Sequence, residues 1–286
     1  MKKLLLLTDF SDHAEHAAEN ALYLCTKMQT ALTIYHSFQA FPLVAYENGG
    51  PYLTEFSDAY AAETNERMAR FLSKTKVFAE ENFEGIEIPI EHISEDGDLG
   101  ANLAKLLANA DYELVIMGSG SSDYLDQLLG GSETQSVIIH SNRPILIIPL
   151  QSNLKQLKKV VFATDYNEKD FHAINYLVDM AGLLSFEIQV LHVDTFGDNP
   201  DKKWKEEVEL KRFAGGLNFP GITYHSIWGK EVIPRLNKYC DESGADLLAM
   251  VHYHQGFFSK LFGLSSTRKE VRNQKQPLLI FPPKFI

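Results

Sequence analysis

The sequence Leu5-Leu6-Leu7-Thr8-Asp9-Phe10 decides the fold, because a similar stretch, Val160-Val161-Phe162-Ala163-Thr164-Asp165-Tyr166, occurs later in the same chain. In both stretches an apolar run leads to a threonine, an aspartate and an aromatic residue. A histidine follows each aspartate 27 residues later, at His36 and His192. Two copies kept in one register over this distance predict an internal repeat, and therefore two domains of the same kind.

The repeat also covers the later part of each half. Residues 117–134 align with residues 250–267 at a constant offset of 133, and both segments end in Ser-x-Thr. The chain has 286 residues, which suits two domains, each of the common size of about 100 to 150 residues. We therefore expect one domain at residues 1–150 and a second at residues 151–286.

Composition and charge exclude several classes of protein. The formal net charge is −11, whereas nucleic-acid binding depends on clustered lysine and arginine, so we expect no nucleic-acid partner. We find no apolar stretch near the 18 residues of a membrane span, and the leucine run after Lys3 ends at Thr8, too early for a signal peptide. Cys25 and Cys240 are too few for a disulfide framework, and we expect both to be buried. These features predict a cytoplasmic protein without a membrane partner.

Short apolar segments alternate with amphipathic segments throughout the chain. In the first half we predict strands at residues 3–8, 31–37, 87–93, 113–118 and 144–149, with helices between them, and the second half repeats the pattern. This alternation is typical of βαβ units with parallel strands. The predicted fold class is α/β: two tandem doubly wound domains, each with a five-stranded, mostly parallel sheet and helices on both faces.

The first repeat is longer than the second. Asp9 and Ser132 are separated by 23 more residues than Asp165 and Ser265. Since the spacing from aspartate to histidine is equal in the two repeats, the extra residues follow His36. Residues 39–56 contain Gly-Gly-Pro and several aromatic residues, and we predict a loop or lid beside the first domain.

Three segments of the first repeat should converge at one edge of the sheet. In doubly wound sheets ligands bind beyond the carboxyl ends of the strands, where Asp9, the His36-Ser37 pair and the segment 118–122 all follow predicted strands. That last segment is rich in glycine and serine, and Gly130-Gly131-Ser132 precedes a predicted helix. Small residues before a helix N-terminus are typical of an anion site. The spacing fits neither a Walker A loop nor a dinucleotide fingerprint.

At these residues the chain resembles the universal stress protein family, over nearly its whole length and as two tandem copies. The nucleotide-binding form of that family carries G-x2-G-x9-G-[S/T] after strand 4 and an aspartate at the end of strand 1. Asp9 matches the aspartate, Gly118 the first glycine and Gly131 the third, while Ser132 matches the hydroxyl residue. Ser121 stands where the family has its second glycine.

The resemblance implies a Rossmann-like fold of the adenine nucleotide alpha-hydrolase type and a function in the stress response. It also implies that the first domain binds ATP or another adenine nucleotide as a sensor or interaction module, with no metal predicted. Asp9 would hold the ribose or adenine, and the main chain of Ser37 would read the adenine edge. The phosphates would lie against residues of the glycine-rich loop, namely Gly118, Ser121, Gly131 and Ser132.

The second repeat lacks most of these residues. Val251, His254 and Leu264 occupy the three glycine positions, and side chains of this size would block close approach of a phosphate. We therefore expect a degenerate domain without a nucleotide. The His252-x-His254 pair is half of a metal site at most, and packing at a domain or subunit contact is the stronger interpretation of the neighbouring aromatic residues.

Two alternatives remain open for the function. Glu133 beside Ser132 would repel a phosphate, which favours a scaffold or dimerisation protein that binds no nucleotide. A slow ATPase is the weaker alternative, because no catalytic acid, base or nucleophile set can be assembled from the sequence. No protein client is identifiable.

The last strands of the two repeats predict how the halves associate. Residues 144–149 and 277–282 are apolar at successive positions, as in strands covered on both faces. In the resembling family these strands pair across a two-fold axis, so we expect them to pair within one chain as a pseudo-dimer. We also expect a homo-oligomer, with Phe257, Phe258 and Phe262 as a candidate contact.

Overall fold

The computed structural model describes residues 2–39, 52–119, 132–196, 200–252 and 276–285, with the side chains of residues 52–59, 132 and 200–203 excepted. The strands in chain order are β1 Lys3–Leu7, β2 Ala31–Phe38, β3 Ile90–Asp96, β4 Tyr112–Gly118, β5 Ile145–Ile148, β6 Lys159–Ala163, β7 Glu187–Asp194, β8 Ile222–Trp228, β9 Leu247–Val251 and β10 Leu278–Phe281. The described helices are α1 Asp12–Met28, α2 Tyr52–Asn82, α3 Leu99–Asn109, α4 Ser132–His140, α5 Lys169–Leu184, α6 Pro200–Gly215 and α7 Val232–Ser243. This alternation confirms the predicted α/β class.

The ten strands form one sheet in the order β3-β2-β1-β4-β5-β10-β9-β6-β7-β8. Each half contributes five parallel strands, so the two predicted sheets are joined into one. Within the first half the chain winds outward from β1 to β3 and then returns to place β4 on the other side of β1. This reversal between β1 and β4 is the switch point at which doubly wound sheets bind ligands.

The halves meet through β5 and β10, which pair antiparallel with Ile147 opposite Leu278. The predicted pairing of the two final strands within one chain is therefore confirmed. Every residue of both strands is buried. Because each final strand is covered by the other, neither leaves an open apolar edge at the centre of the molecule.

Helix α1 follows the carboxyl end of β1 and contacts residues 151–158, which form the connector between the halves. Its first turn is capped by Ser11, whose hydroxyl accepts a hydrogen bond from the N–H of Ala14 at 3.3 Å. Further along the helix, the Asn20 side-chain oxygen accepts from the N–H of Leu154 at 2.9 Å, and His16 donates from Nε2 to the carbonyl of Ser152 at 2.7 Å. Ser11 therefore caps the start of α1, and the same helix holds the connector.

Some boundaries differ from the sequence prediction. Strand β3 occupies residues 90–96, not 87–93, because Pro89 has no N–H to donate and the pairing with β2 continues as far as Asp96. Helix α2 begins at Tyr52, so the end of the predicted loop at 39–56 is helical; proline, here Pro51, is common where helices begin. Residues 40–51 of the predicted loop lie outside the described residues, and so does the segment 265–273, for which the repeated pattern predicts a helix.

Two of the exclusions drawn from composition can be compared with the fold. Cys25 and Cys240 are both buried, and burial raises the pKa of each thiol to about 12, as expected for small core residues rather than nucleophiles. Across the part of the chain that the structure describes, none of the helices combines the length and apolarity needed to cross a bilayer.

Candidate functional site

A cleft opens at the switch point of the first half, beyond the carboxyl ends of β1, β2 and β4. The first turns of α1 and α4 and the start of α3 complete its described walls. Its lining combines apolar side chains, such as those of Leu7, Leu99 and Met117, with polar and charged ones. The described lining residues are Leu7, Thr8, Asp9, Ser11, His13, Ala14, Tyr35, His36, Ser37, Leu99, Met117, Gly118, Ser119, Glu133 and Thr134.

The threonine and the aromatic residue of the repeated motif build a turn at the end of strand β1. Phe10 has φ of 65°, a left-handed conformation that aromatic residues rarely adopt, and Tyr166 has φ of 63° at the matching place. The Thr8 hydroxyl accepts a hydrogen bond from the N–H of Phe10 at 2.9 Å, and Thr164 accepts from Tyr166 at 2.9 Å. The motif therefore stabilises the same turn in both halves.

The repeated histidine completes this turn. His36 donates from Nδ1 to the carbonyl of Thr8 at 2.7 Å, and its ring lies 4.3 Å from that of Phe10. His192 donates to Thr164 at 2.8 Å, and its ring stacks on that of Tyr166 at 4.4 Å. Burial lowers the pKa of His36, which keeps the imidazole neutral. The geometry in both halves gives this histidine a role in the fold, because it holds the turn in place.

Asp9 lies at the mouth of the cleft. Its Oδ1 accepts from the N–H of Ser11 at 3.0 Å and from the Ser11 hydroxyl at 2.5 Å. The side chain is exposed, and Oδ2 makes no hydrogen bond within the described residues. One carboxylate oxygen thus fixes the side chain, and Asp9 lines the cleft with its second oxygen unbonded within the described part of the chain.

Ser37 presents its main chain toward the same region. The Ser37 hydroxyl donates to the carbonyl of Gly97 at 2.9 Å, so the side chain is already engaged. Alternate residues of β2 bond to opposite neighbours: Phe38 accepts from Gly97 in the β3 direction, and Tyr35 accepts from Thr8 in the β1 direction. Ser37 therefore directs its N–H and C=O toward the β1 side of the sheet. Strand β1 ends at Leu7 and does not extend far enough to pair with these groups.

Gly118 has a packing role that needs no ligand. A Cβ atom at this position would lie 2.5 Å from the carbonyl oxygen of His13 and 3.0 Å from the nitrogen of Ala14. Only glycine lets the end of β4 approach the first turn of α1 so closely. The next residue, Ser119, is buried, and its hydroxyl lies 3.3 Å from Nδ1 of His13. This contact joins the loop after β4 to α1.

Asp9, Ser37 and Gly118 are therefore brought together, as expected from the sequence. The backbone of Ser132 begins α4 at the cleft, whereas Ser121 and Gly131 lie outside the described residues. Ser119, which belongs to the predicted segment 118–122, also lines the cleft, whereas sequence reasoning missed His13 and Thr134. Their proximity to Ser11 and Ser132 in the chain was the available signal.

Arg67 of helix α2 was also missed. Its guanidinium donates to the main-chain carbonyl of Asp9 at 3.2 Å and lies over the ring of Phe10, 4.9 Å from the centroid. An exposed cation on a long polar helix gives no signal in the sequence, because such residues usually face only solvent. The contact adds a tie from α2 to the turn that carries Asp9.

Comparison with known proteins decides the family. A sequence model described as the universal stress protein family matches residues 1–149, slightly more than half of the chain. The chain belongs to the universal stress protein family. It is 22% identical over 152 residues to a universal stress protein of Methanocaldococcus jannaschii, a match that covers 51% of this chain and 94% of the relative.

Solved structures of full-length similarity show the tandem fold of this universal stress protein. A universal stress protein of Archaeoglobus fulgidus matches with a TM-score of 0.68 at 19% identity, covering 98% of each chain. A functionally unknown protein from Pseudomonas aeruginosa matches with a TM-score of 0.60 at 13% identity, covering 99% of this chain and 93% of the other. These likenesses establish the architecture of both halves.

The second half of this universal stress protein fills the matching edge differently. Val251 takes the place of Gly118, and Asp170, which is 1% exposed, takes the place of Ala14. The Thr164 hydroxyl donates to Asp170 at 2.5 Å. His252 is buried at the end of β9, where its N–H donates to the carbonyl of Phe281 at 2.8 Å. His254, the other member of the predicted pair, lies outside the described residues.

Proposed function

We propose that the first half of this universal stress protein binds one adenine nucleotide or nucleoside in the cleft, and that the chain acts as a ligand-responsive sensor or interaction module. The observation that carries the proposal is the convergence of hydrogen-bonding groups of Asp9 and Ser37 that have no partner among the described residues, beside the close approach of β4 to α1 at Gly118. These groups meet at the switch point, where ligands of such sheets bind.

The chemistry of these groups suits adenosine. Adenine presents an acceptor nitrogen beside an exocyclic amine donor, and the N–H and C=O of Ser37 offer the complementary pair. The free oxygen of Asp9 suits a ribose hydroxyl, which donates to a carboxylate. Leu7, Leu99 and Met117 supply apolar surface for a planar ring.

Phosphate binding is the part of the proposal that depends on the family resemblance. Gly131 and Ser132 occupy the matching positions at the start of α4, where main-chain N–H groups and the helix dipole favour an anion. Ser121 belongs to the same predicted loop. In this proposal these residues contact the phosphate nearest the ribose.

One ligand per chain follows from the differences between the halves. The buried carboxyl group of Asp170 stands where the first half has the small side chain of Ala14, so it fills space beside the matching turn. Val251 adds bulk at the position of Gly118. Both differences disfavour an anionic ligand in the second half.

Isothermal titration calorimetry on ligand-stripped protein tests the proposal. Adenosine and AMP should bind with a stoichiometry of one per chain. Asp9→Ala should weaken binding by about tenfold or more, since it removes a charge-assisted hydrogen bond. Asp165→Ala, the matched change in the second half, should leave binding intact. Thermal unfolding of both variants separates lost contacts from lost folding, and a stoichiometry of two would contradict the proposal.

A scaffold without a nucleotide is the second candidate, and Glu133 is the observation that favours it. This exposed carboxylate lines the cleft in the first turn of α4. If none of adenosine, AMP, ADP and ATP gives heat or raises the melting temperature at millimolar concentration, the scaffold becomes the better account.

A further inference from the structure

The charges around the cleft are unusual for a site that would hold several phosphates. Among its described lining residues Asp9 and Glu133 carry carboxylates, and none is lysine or arginine. Sites for polyphosphates normally surround the added charge with lysine, arginine or a metal ion. The described wall of this cleft instead places two negative charges beside the ligand.

The helix N-termini at the cleft do not offset these carboxylates. A helix N-terminus is equivalent to about half a positive charge, so α1 and α4 together supply about one. Acidic side chains already occupy both first turns: Asp12 and Glu15 in α1, and Glu133 in α4. These acidic side chains therefore offset much of the partial positive charge of the two helix N-termini, which leaves less of it to attract a phosphate.

A cation of helix α2 lies beside the cleft, although it is not among the described lining residues. The Arg67 guanidinium donates to the main-chain carbonyl of Asp9 and lies over the ring of Phe10, and its charge adds to the effect of burial in lowering the pKa of His36. This one positive charge offsets at most one of the two carboxylates. In the first half, two internal segments lie outside the described residues, 40–51 and 120–131, and their sequences contain three acidic residues and no lysine or arginine. Whatever their course, these segments bring no cationic side chain to a phosphate.

From this charge distribution we infer that the cleft selects adenine compounds of low charge. Adenosine and AMP are its ligands, and ADP and ATP are disfavoured by repulsion from Glu133 and Asp9. The inference rests on the proposed function, because it concerns the same cleft. It narrows the ligand class: a phosphomonoester adds about two negative charges, and each further phosphate adds repulsion, with no lysine or arginine among the described lining residues to receive it.

Competition among adenosine, AMP, ADP and ATP measured by calorimetry on the full chain tests the inference. Without divalent cations and at low ionic strength, adenosine or AMP should bind at least about tenfold more tightly than ATP. Raising the ionic strength should strengthen ATP binding relative to adenosine binding, because salt screens repulsion. A cationic phosphate site would show the opposite salt dependence.

Glu133→Gln provides the direct test of the residue. It should narrow the ratio of adenosine to ATP affinity by about fivefold, since it removes one nearby negative charge. Glu187→Gln is the matched control: it changes the net charge of the chain equally, and Glu187 is an exposed residue at the start of β7. This control should leave the ratio as it is in the unmodified chain.

The outcomes distinguish failure of the charge selectivity from failure of adenine binding itself. If ATP binds more tightly than adenosine and AMP, or if salt weakens ATP binding selectively, the inference is overturned while adenine binding stands. An unchanged ratio in Glu133→Gln also overturns it. If no adenine compound binds, the proposed function itself fails, and this inference fails with it.

Discussion

At the scale of single residues, the repeated Thr-Asp-aromatic motif divides into two tasks. The threonine hydroxyl and the histidine that follows later stabilise a strained turn, and they do so in both halves. The aspartate has a different task in the first half, where Asp9 lines the cleft and Ser11 holds one of its oxygens. The turn holds this carboxylate at the end of β1, so the strain has a positioning role at the site.

Gly118 gives a residue-scale prediction about stability. Gly118→Ala should lower the free energy of unfolding by about 1–3 kcal/mol, because the new Cβ would lie 2.5 Å from a backbone oxygen that cannot easily move. Gly182→Ala is the control: nothing lies within 4 Å of its added Cβ, and alanine is the better helix former. Urea unfolding measures both, and an unaltered midpoint for Gly118→Ala would refute the packing role.

At the scale of elements, the pattern of buried runs predicted the ten strands and the order of helices. It succeeded because nearly all positions of the central strands β1, β4, β5, β9 and β10 are buried, which requires continuous apolar runs. The half-exposed edge strand β3 was misplaced by three residues. Its sequence alternates without a strong apolar run, so its register depends on the partner strand.

Helix α1 gives the prediction at this scale. Asn20→Ala should lower the free energy of unfolding by about 1–3 kcal/mol, because the N–H of Leu154 would stay buried without its acceptor. Asn109→Ala is the control, since Asn109 is exposed and bonds within its own helix, and it should change stability by less than about 0.5 kcal/mol. Equal effects of the two changes in denaturant unfolding would contradict the connector contact.

At the scale of the whole molecule, the sequence predicted the pairing of the halves better than the site. The final strands are recognisable in the sequence as continuous runs of apolar residues, and β5 and β10 pair as expected. The cleft depends on groups from several distant segments, and a contact such as that of Arg67 with Asp9 has no local signature. Buried strands can be predicted from apolar patterns in the sequence. Main-chain N–H and C=O groups that lose their partner where a neighbouring strand ends can be identified only from the three-dimensional structure.

The joined sheet gives the prediction at this scale. Ile147→Lys should unfold the chain or separate its halves, because the side chain is 1% exposed and lies opposite Leu278 at the junction. Ile139→Lys, at a position 44% exposed on α4, should be tolerated. Light scattering and far-ultraviolet circular dichroism measure both. A stable Ile147→Lys protein with native mass and melting temperature would show that the junction does not hold the halves together.

The measurement that tests the central claim most directly is photo-crosslinking of the full chain with 8-azidoadenosine, followed by peptide mapping. The account predicts modification saturating at one per chain, on peptides of the first-half cleft around Asp9, Ser37 and Gly118, with protection by excess adenosine. Modification on the matching peptides around Asp165 and His192, or modification that excess adenosine does not reduce, would contradict it.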